Sequence, residues 1–146
     1  MAGDIIGRRE ELRSLRTFLT ALPAGGQALL LEGDPGIGKT TLWHDGVRAA
    51  RDDDYRVLTA RQAQSETRIV FATLGDLLGP ALEVVLPQLQ PLQRRALETA
   101  LLLRESEGPP PEARALALAV QSVVVTLAQE RPLLLAQFPC QCRRLG

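Results

Sequence analysis

Read only for apolar and polar positions, the chain alternates short apolar runs with longer stretches of helical spacing. From Arg9 to Leu22 the residues Leu12, Leu15, Phe18, Leu19 and Leu22 recur three or four apart, which predicts an amphipathic helix. Pro23-Ala24-Gly25-Gly26 ends it. Gln27 to Glu32 is an apolar run beside glycines and predicts a buried strand. Helical spacing returns from Lys39 to about Arg51, and Arg51-Asp52-Asp53-Asp54 predicts a solvated connection. Arg56 to Ala60 is a second strand candidate. Short helices are expected over Val70 to Leu78 and Ala81 to Leu86, broken at Gly79-Pro80 and at Pro87. Another helix is expected over Pro91 to Leu103, its proline in the first turn where a missing N–H does little harm.

Beyond the loop Glu105 to Glu112, the residues Leu116, Ala119, Val120, Val123, Val124 and Leu127 trace a further stripe at helical spacing. Branching at Cβ would suit these valines to a strand, but the segment is about 18 residues long and length favours a helix. Pro132 to Ala136 is the third strand candidate, and no internal repeat is visible. Strands alternating with helices predict an α/β fold with a mostly parallel sheet.

Composition narrows the picture. The 146 residues are one domain's worth, and 45% apolar with 23% charged residues argues against disorder. The formal net charge is zero and no cluster of cations stands out, so nothing recommends a nucleic acid as partner. The apolar runs are far shorter than a membrane span requires. Asp4 interrupts an N-terminus that has no long apolar core, unlike a secretory signal. Cys140 and Cys142 are too close and too late for a disulfide framework, so a cytoplasmic location is the expectation.

One segment carries recognisable chemistry. Gly33-Asp34-Pro35-Gly36-Ile37-Gly38-Lys39-Thr40 fits G-x-x-x-x-G-K-[ST], the phosphate-binding loop, between a predicted strand and a predicted helix. Without a Cβ, Gly33, Gly36 and Gly38 let the backbone bend so that successive N–H groups point inward at a phosphate. The helix that follows adds the positive end of its dipole. Every other basic residue here is arginine, and Lys39 is the one lysine. A compact ammonium on a flexible stem reaches β- and γ-phosphates where a wide planar guanidinium fits less well. Thr40 offers a hydroxyl to a magnesium ion, and Thr41 is expected to serve a phosphate too. The alternative is a glycine turn between strand and helix that binds nothing.

A second segment, Ile5 to Leu15, resembles the entry segment of AAA-related and STAND-type ATPases, where a hydrophobic-Gly-Arg-x-x-Glu-Leu box precedes the first helix. The resemblance implies that Ile5, Ile6 and Gly7 line an adenine and that Arg8 borders the nucleotide. Otherwise the box is a helix N-terminus with a solvated first turn. Phe71 to Leu103 and Ala115 to Ala136 look like the ATPase region of large LuxR-type transcriptional regulators. The resemblance covers about Asp4 to Ala136 and implies a P-loop NTPase three-layer sandwich with helical insertions, ATP and Mg2+ as cofactors, and a signal-responsive regulator as context. On that basis residues 1–136 are a partial AAA/STAND-type nucleotide-binding domain and 137–146 an atypical tail.

The departure from that pattern lies after Ala136. Such proteins continue with one or two apolar residues and then the two acids of Walker B, whereas here Phe138 and Pro139 stand about where the acids fall, and no Asp or Glu follows Glu130. The expectation is an incomplete sandwich, a truncated or frame-disrupted N-terminal piece deficient in hydrolysis. The alternatives are a complete small protein of its own design and a non-catalytic remnant that at most associates with a partner. In the family's strand order the loop-bearing strand lies between two later strands. Gln27 to Glu32 is therefore expected either to pair with Leu133 to Ala136 or to leave an apolar edge open to self-association. His44 reads as a solvated helix residue, Trp43 as packing on the sheet, and Arg94 and Arg95 as a wet helix face. Asp52, Asp53 and Asp54 lack metal-ligand spacing, Cys140 and Cys142 lack further ligands for a soft metal, and Glu66 follows the second strand without a clear role.

Overall fold

The computed structural model describes residues 9–21, 25–34, 36–61, 71–105 and 108–138. They divide into two compact units, Met1–Tyr55 and Arg56–Gly146.

In the first unit, helix α1 (Arg9–Ala21) and helix α2 (Lys39–Asp52) form where the apolar spacing predicts them. Leu15 and Leu19 of the predicted stripe are buried, Leu12 and Phe18 half-buried, and Leu22 lies outside the described residues. The two helices touch at Gly46, where an added Cβ would stand 3.1 Å from both δ-methyls of Leu15. The C-terminus of α2 turns on Asp54 at φ 60. The N–H groups of Asp54 and Tyr55 return to the carbonyls of Arg51 and Ala50, which satisfies carbonyls that a helix end leaves open. Tyr55 is then buried with its hydroxyl donating to the Leu19 carbonyl at the end of α1.

The strand predicted over Gln27 to Glu32 does not form. These residues run without regular structure, with Leu29 42% and Leu30 77% exposed. A strand is made by its neighbours more than by its own propensity, and among the described residues this run has no ladder partner.

The second unit is built on a parallel pair. Strand β1 (Arg56–Arg61) lies beside strand β2 (Leu133–Phe138) with Arg56 opposite Leu133 and Arg61 opposite Phe138. Leu133 to Ala136 thus lies in β2 and pairs with β1. A parallel pair needs a crossover, and this one is helical: α3 (Ala72–Leu78), α4 (Leu82–Val85), α5 (Pro91–Ala100) and α6 (Ala113–Glu130). The expected breaks at Gly79-Pro80 and Pro87 are tight 3₁₀ turns, Gly79–Ala81 and Leu86–Gln88, each with proline at its start. There its absent N–H costs nothing and the chain stays coiled.

Helix α5 ends at Ala100, short of the predicted Leu103, because Leu102 turns left-handed at φ 57. The valine run is helical, with Val123 fully buried in α6. Leu58, Leu78, Val85, Leu97, Ala119, Val123 and Leu127 make a core between β1 and the crossover helices. An ion pair from Arg56 to Glu130 joins the start of β1 to the end of α6. The result is an α/β architecture with a parallel sheet, consistent with part of a P-loop NTPase sandwich.

Candidate functional site

The glycine-rich segment enters α2 through three left-handed or related conformations, Gly33 at φ 151, Gly36 at φ 82 and Gly38 at φ 90. A side chain at any of them would be strained. At Gly33 a Cβ would also stand 3.0 Å from Cγ2 of Ile37, so the loop closes against that position only because it is bare. The Ile37 N–H donates to the Asp34 carbonyl at 3.2 Å, making a turn across Pro35, which itself lies outside the described residues.

Lys39 is the first residue of α2, and its side chain folds back over the loop. Its Nζ donates to the carbonyl of Gly33 at 2.6 Å and to that of Asp34 at 2.8 Å. An ammonium has three N–H donors, and two of them tie the end of the loop to its beginning. The first helical hydrogen bond runs from the Leu42 N–H to the Gly38 carbonyl at 3.2 Å. The N–H groups of Lys39, Thr40 and Thr41 therefore stand in the opening turn, ahead of the intrahelical ladder. Thr40 and Thr41 are exposed, as are Gly33, Asp34, Gly36 and Ile37, while Gly38 and Lys39 are half-buried.

This donor set suits an anion. One ammonium, a run of unladdered N–H groups and the positive end of a helix dipole converge on one loop, and bare glycines allow close approach. The set therefore fits a polyphosphate. The Thr40 hydroxyl in the same opening turn is a hard oxygen donor of the kind magnesium takes. Among the described residues no group of three His, Cys, Asp or Glu side chains is placed to hold a metal by itself, so a cation here would depend on the bound phosphates for most of its ligands.

Other predicted positions fall out as follows. Ile6, Gly7 and Arg8 lie outside the described residues, as do Ile5, Glu66, Cys140 and Cys142. His44 is exposed on α2, and Trp43 meets its ring edge-on, with centroids 5.0 Å apart and planes at 82°. Asp52, Asp53 and Asp54 are exposed in the α2 terminus. Arg94 and Arg95 are exposed on α5, Arg94 paired with Glu98 at 2.7 Å. Strand β2 continues through Gln137 to Phe138, so the position where an acid is expected carries a half-buried aromatic ring inside the ladder. Sequence reasoning passed over Gly46, whose missing Cβ lets α1 lie against the helix that carries Lys39. The signal for it was available, a lone glycine inside a helical pattern.

The profile of a family described as "AAA ATPase domain" matches residues 4–137. The Holliday junction branch migration complex subunit RuvB of Chlorobaculum tepidum is 47% identical over 45 residues, a stretch that covers 29% of this chain and 13% of that protein. The match thus reaches only a small part of the curated relative. No solved structure matches the chain. No helix among the described residues is long and apolar enough to cross a membrane.

Proposed function

Since the chain belongs to the AAA ATPase domain family and is by that membership a nucleotide-binding P-loop protein, we propose that Gly33 to Thr41 bind the phosphates of ATP with magnesium. The observation that carries this reading is the fold-back of Lys39 onto the Gly33 and Asp34 carbonyls at the N-terminus of α2. It sets an ammonium over a loop whose three glycines adopt positive φ. Gly33, Asp34, Pro35, Gly36, Ile37 and Gly38 form the wall of the cradle. The N–H groups of Lys39, Thr40 and Thr41 and the ammonium of Lys39 hold phosphate oxygens, and the hydroxyl of Thr40 holds the metal. Ile6 and Gly7 line the adenine and Arg8 borders the nucleotide, as the resemblance of that box implies. Bound magnesium supplies charge neutralisation across the phosphates.

Binding and turnover separate in this chain. Residues 1–136 are the nucleotide-binding part, and residues 137–146 hold no acid, with Gln137 and Phe138 continuing β2. Phosphoryl transfer depends on positioned charge and a placed water, and Phe138 in β2 can do neither. The reading is therefore an ATP-binding, hydrolysis-deficient segment, related to the ATPase region of LuxR-type signal-responsive regulators through Phe71 to Leu103 and Ala115 to Ala136. A titration with a fluorescent ATP analogue, with and without magnesium, tests it. Saturable binding that is lost in Lys39→Ala supports the cradle, and an unresponsive chain at millimolar nucleotide removes it. Phosphate release above that of the Lys39→Ala variant would overturn the hydrolysis half alone.

A further inference from the structure

The glycine loop carries a charge that phosphate binding does not call for. From Glu32 to Thr41 the ionisable side chains are Glu32, Asp34 and Lys39, two anions against one cation. Bare glycines, unladdered N–H groups and an ammonium attract phosphate, and a carboxylate among them repels it.

Asp34 is the acid whose place is tied to the ammonium. Its main-chain carbonyl accepts from the Lys39 Nζ at 2.8 Å and from the Ile37 N–H at 3.2 Å. Carbonyl and carboxylate belong to one short residue, so the carboxylate lies within about a Debye length of the ammonium, ~8 Å at physiological salt. It is not neutralised there. Lys39 directs its bonds to carbonyls, and no ion pair among the described residues includes Asp34. The residue is exposed, so its charge stands on the open side of the loop with no packing role of its own.

Such a charge weighs differently on different ligands, because repulsion grows with the charge it meets. Free ATP carries roughly two more negative charges than its magnesium complex, since the metal ion brings two positive ones. Resting on the ATP-binding reading of this loop, we propose that Asp34 makes the cradle selective for magnesium-bound over metal-free ATP. Lys39, the glycines and the opening turn of α2 attract phosphate in either form, and Asp34 sets which form prevails.

The experiment titrates the full chain with a fluorescent ATP analogue, once in EDTA and once in excess magnesium. Asp34→Asn keeps the side chain's size and removes its charge. Its affinity rises about fivefold to tenfold in EDTA and about twofold to threefold with magnesium, the order expected of one carboxylate at this distance. Asp34→Glu restores the charge and with it the wild-type ratio of the two affinities. At about 1 M salt, where the Debye length falls to ~3 Å, wild type and Asp34→Asn converge. A loop merely reshaped by the substitution would keep its difference. If the wild type binds neither form, the cradle and this selectivity fall together. If the wild type binds and Lys39→Ala does not, while Asp34→Asn leaves the ratio unchanged, the cradle stands and the selectivity is overturned. A changed ratio that persists at high salt, or that Asp34→Glu shares, overturns it as well.

Discussion

Lys39 and Gly33, at opposite ends of the glycine loop, are joined by a 2.6 Å hydrogen bond from the lysine ammonium to the glycine carbonyl. A second bond of 2.8 Å reaches the neighbouring Asp34 carbonyl. The side chain proposed to grip phosphate thus also holds the shape of the loop. Replacing it removes a ligand and a brace together.

Lys39→Ala should therefore weaken binding of a fluorescent ATP analogue by about tenfold to a hundredfold, the range expected for losing a charged hydrogen-bond donor. Lys39→Arg should recover little of it, since a planar fork does not reproduce two bonds from one nitrogen to adjacent carbonyls. An arginine variant binding as tightly as the wild type would show that charge alone suffices.

Gly46 offers a test in which two effects oppose each other. In an open helix, glycine to alanine gains about 1 kcal/mol of propensity. Here the new methyl would stand 3.1 Å from both δ-methyls of Leu15, and crowding in a packed contact costs about 1–3 kcal/mol. Gly46→Ala should thus be destabilising in the wild type and stabilising once Leu15→Ala has cleared the space. Urea denaturation of the four proteins gives the coupling energy, and a coupling near zero would place the two residues out of contact.

Tyr55→Phe should cost about 1–3 kcal/mol, because the Leu19 carbonyl loses its buried donor while the ring keeps its packing. Denaturant midpoints of the two proteins measure it. A neutral substitution would mean that another group satisfies that carbonyl.

Leu102→Gly should raise stability by about 1 kcal/mol. Leu102 holds φ 57 while its side chain is 76% exposed, so the substitution relieves a left-handed penalty of about 1–2 kcal/mol and forfeits little burial. The turn it occupies is a regular helix terminator, with the Leu102 and Leu103 N–H groups returning to the Thr99 and Glu98 carbonyls at 3.2 and 2.9 Å, and glycine is the usual residue there. A loss of stability in the same denaturation assay would show that the exposed leucine packs after all.

The sequence was most readable where a signal is local. The helical stripes from Leu12 to Leu19 and from Leu116 to Leu127 produced their helices because periodicity acts within one element, and length decided for Val123 to Val125. The loop was legible for the same reason, since glycine conformations and a following helix are properties of neighbouring residues. Gln27 to Glu32 misled because three consecutive leucines announce burial without naming what will cover them, and a strand exists only through a partner elsewhere. Pro80 and Pro87 were read as breaks, and the α-helix does give way at both to a 3₁₀ turn that carries the proline at its start. The inward bonds of Lys39 had no sequence signature at all, because reach and direction depend on how far the loop bends.

The pairing of Arg56 with Leu133 joins residues separated by almost the whole second unit. Closing so long a loop is entropically costly before any ladder bond rewards it. The helices between them, by contrast, nucleate on near neighbours. Refolding should therefore be a two-tempo event, with helices α5 and α6 gaining hydrogen-exchange protection first and the strands last. During that interval both leucine-rich runs are uncovered together, so the yield of refolded chain should fall as protein concentration rises.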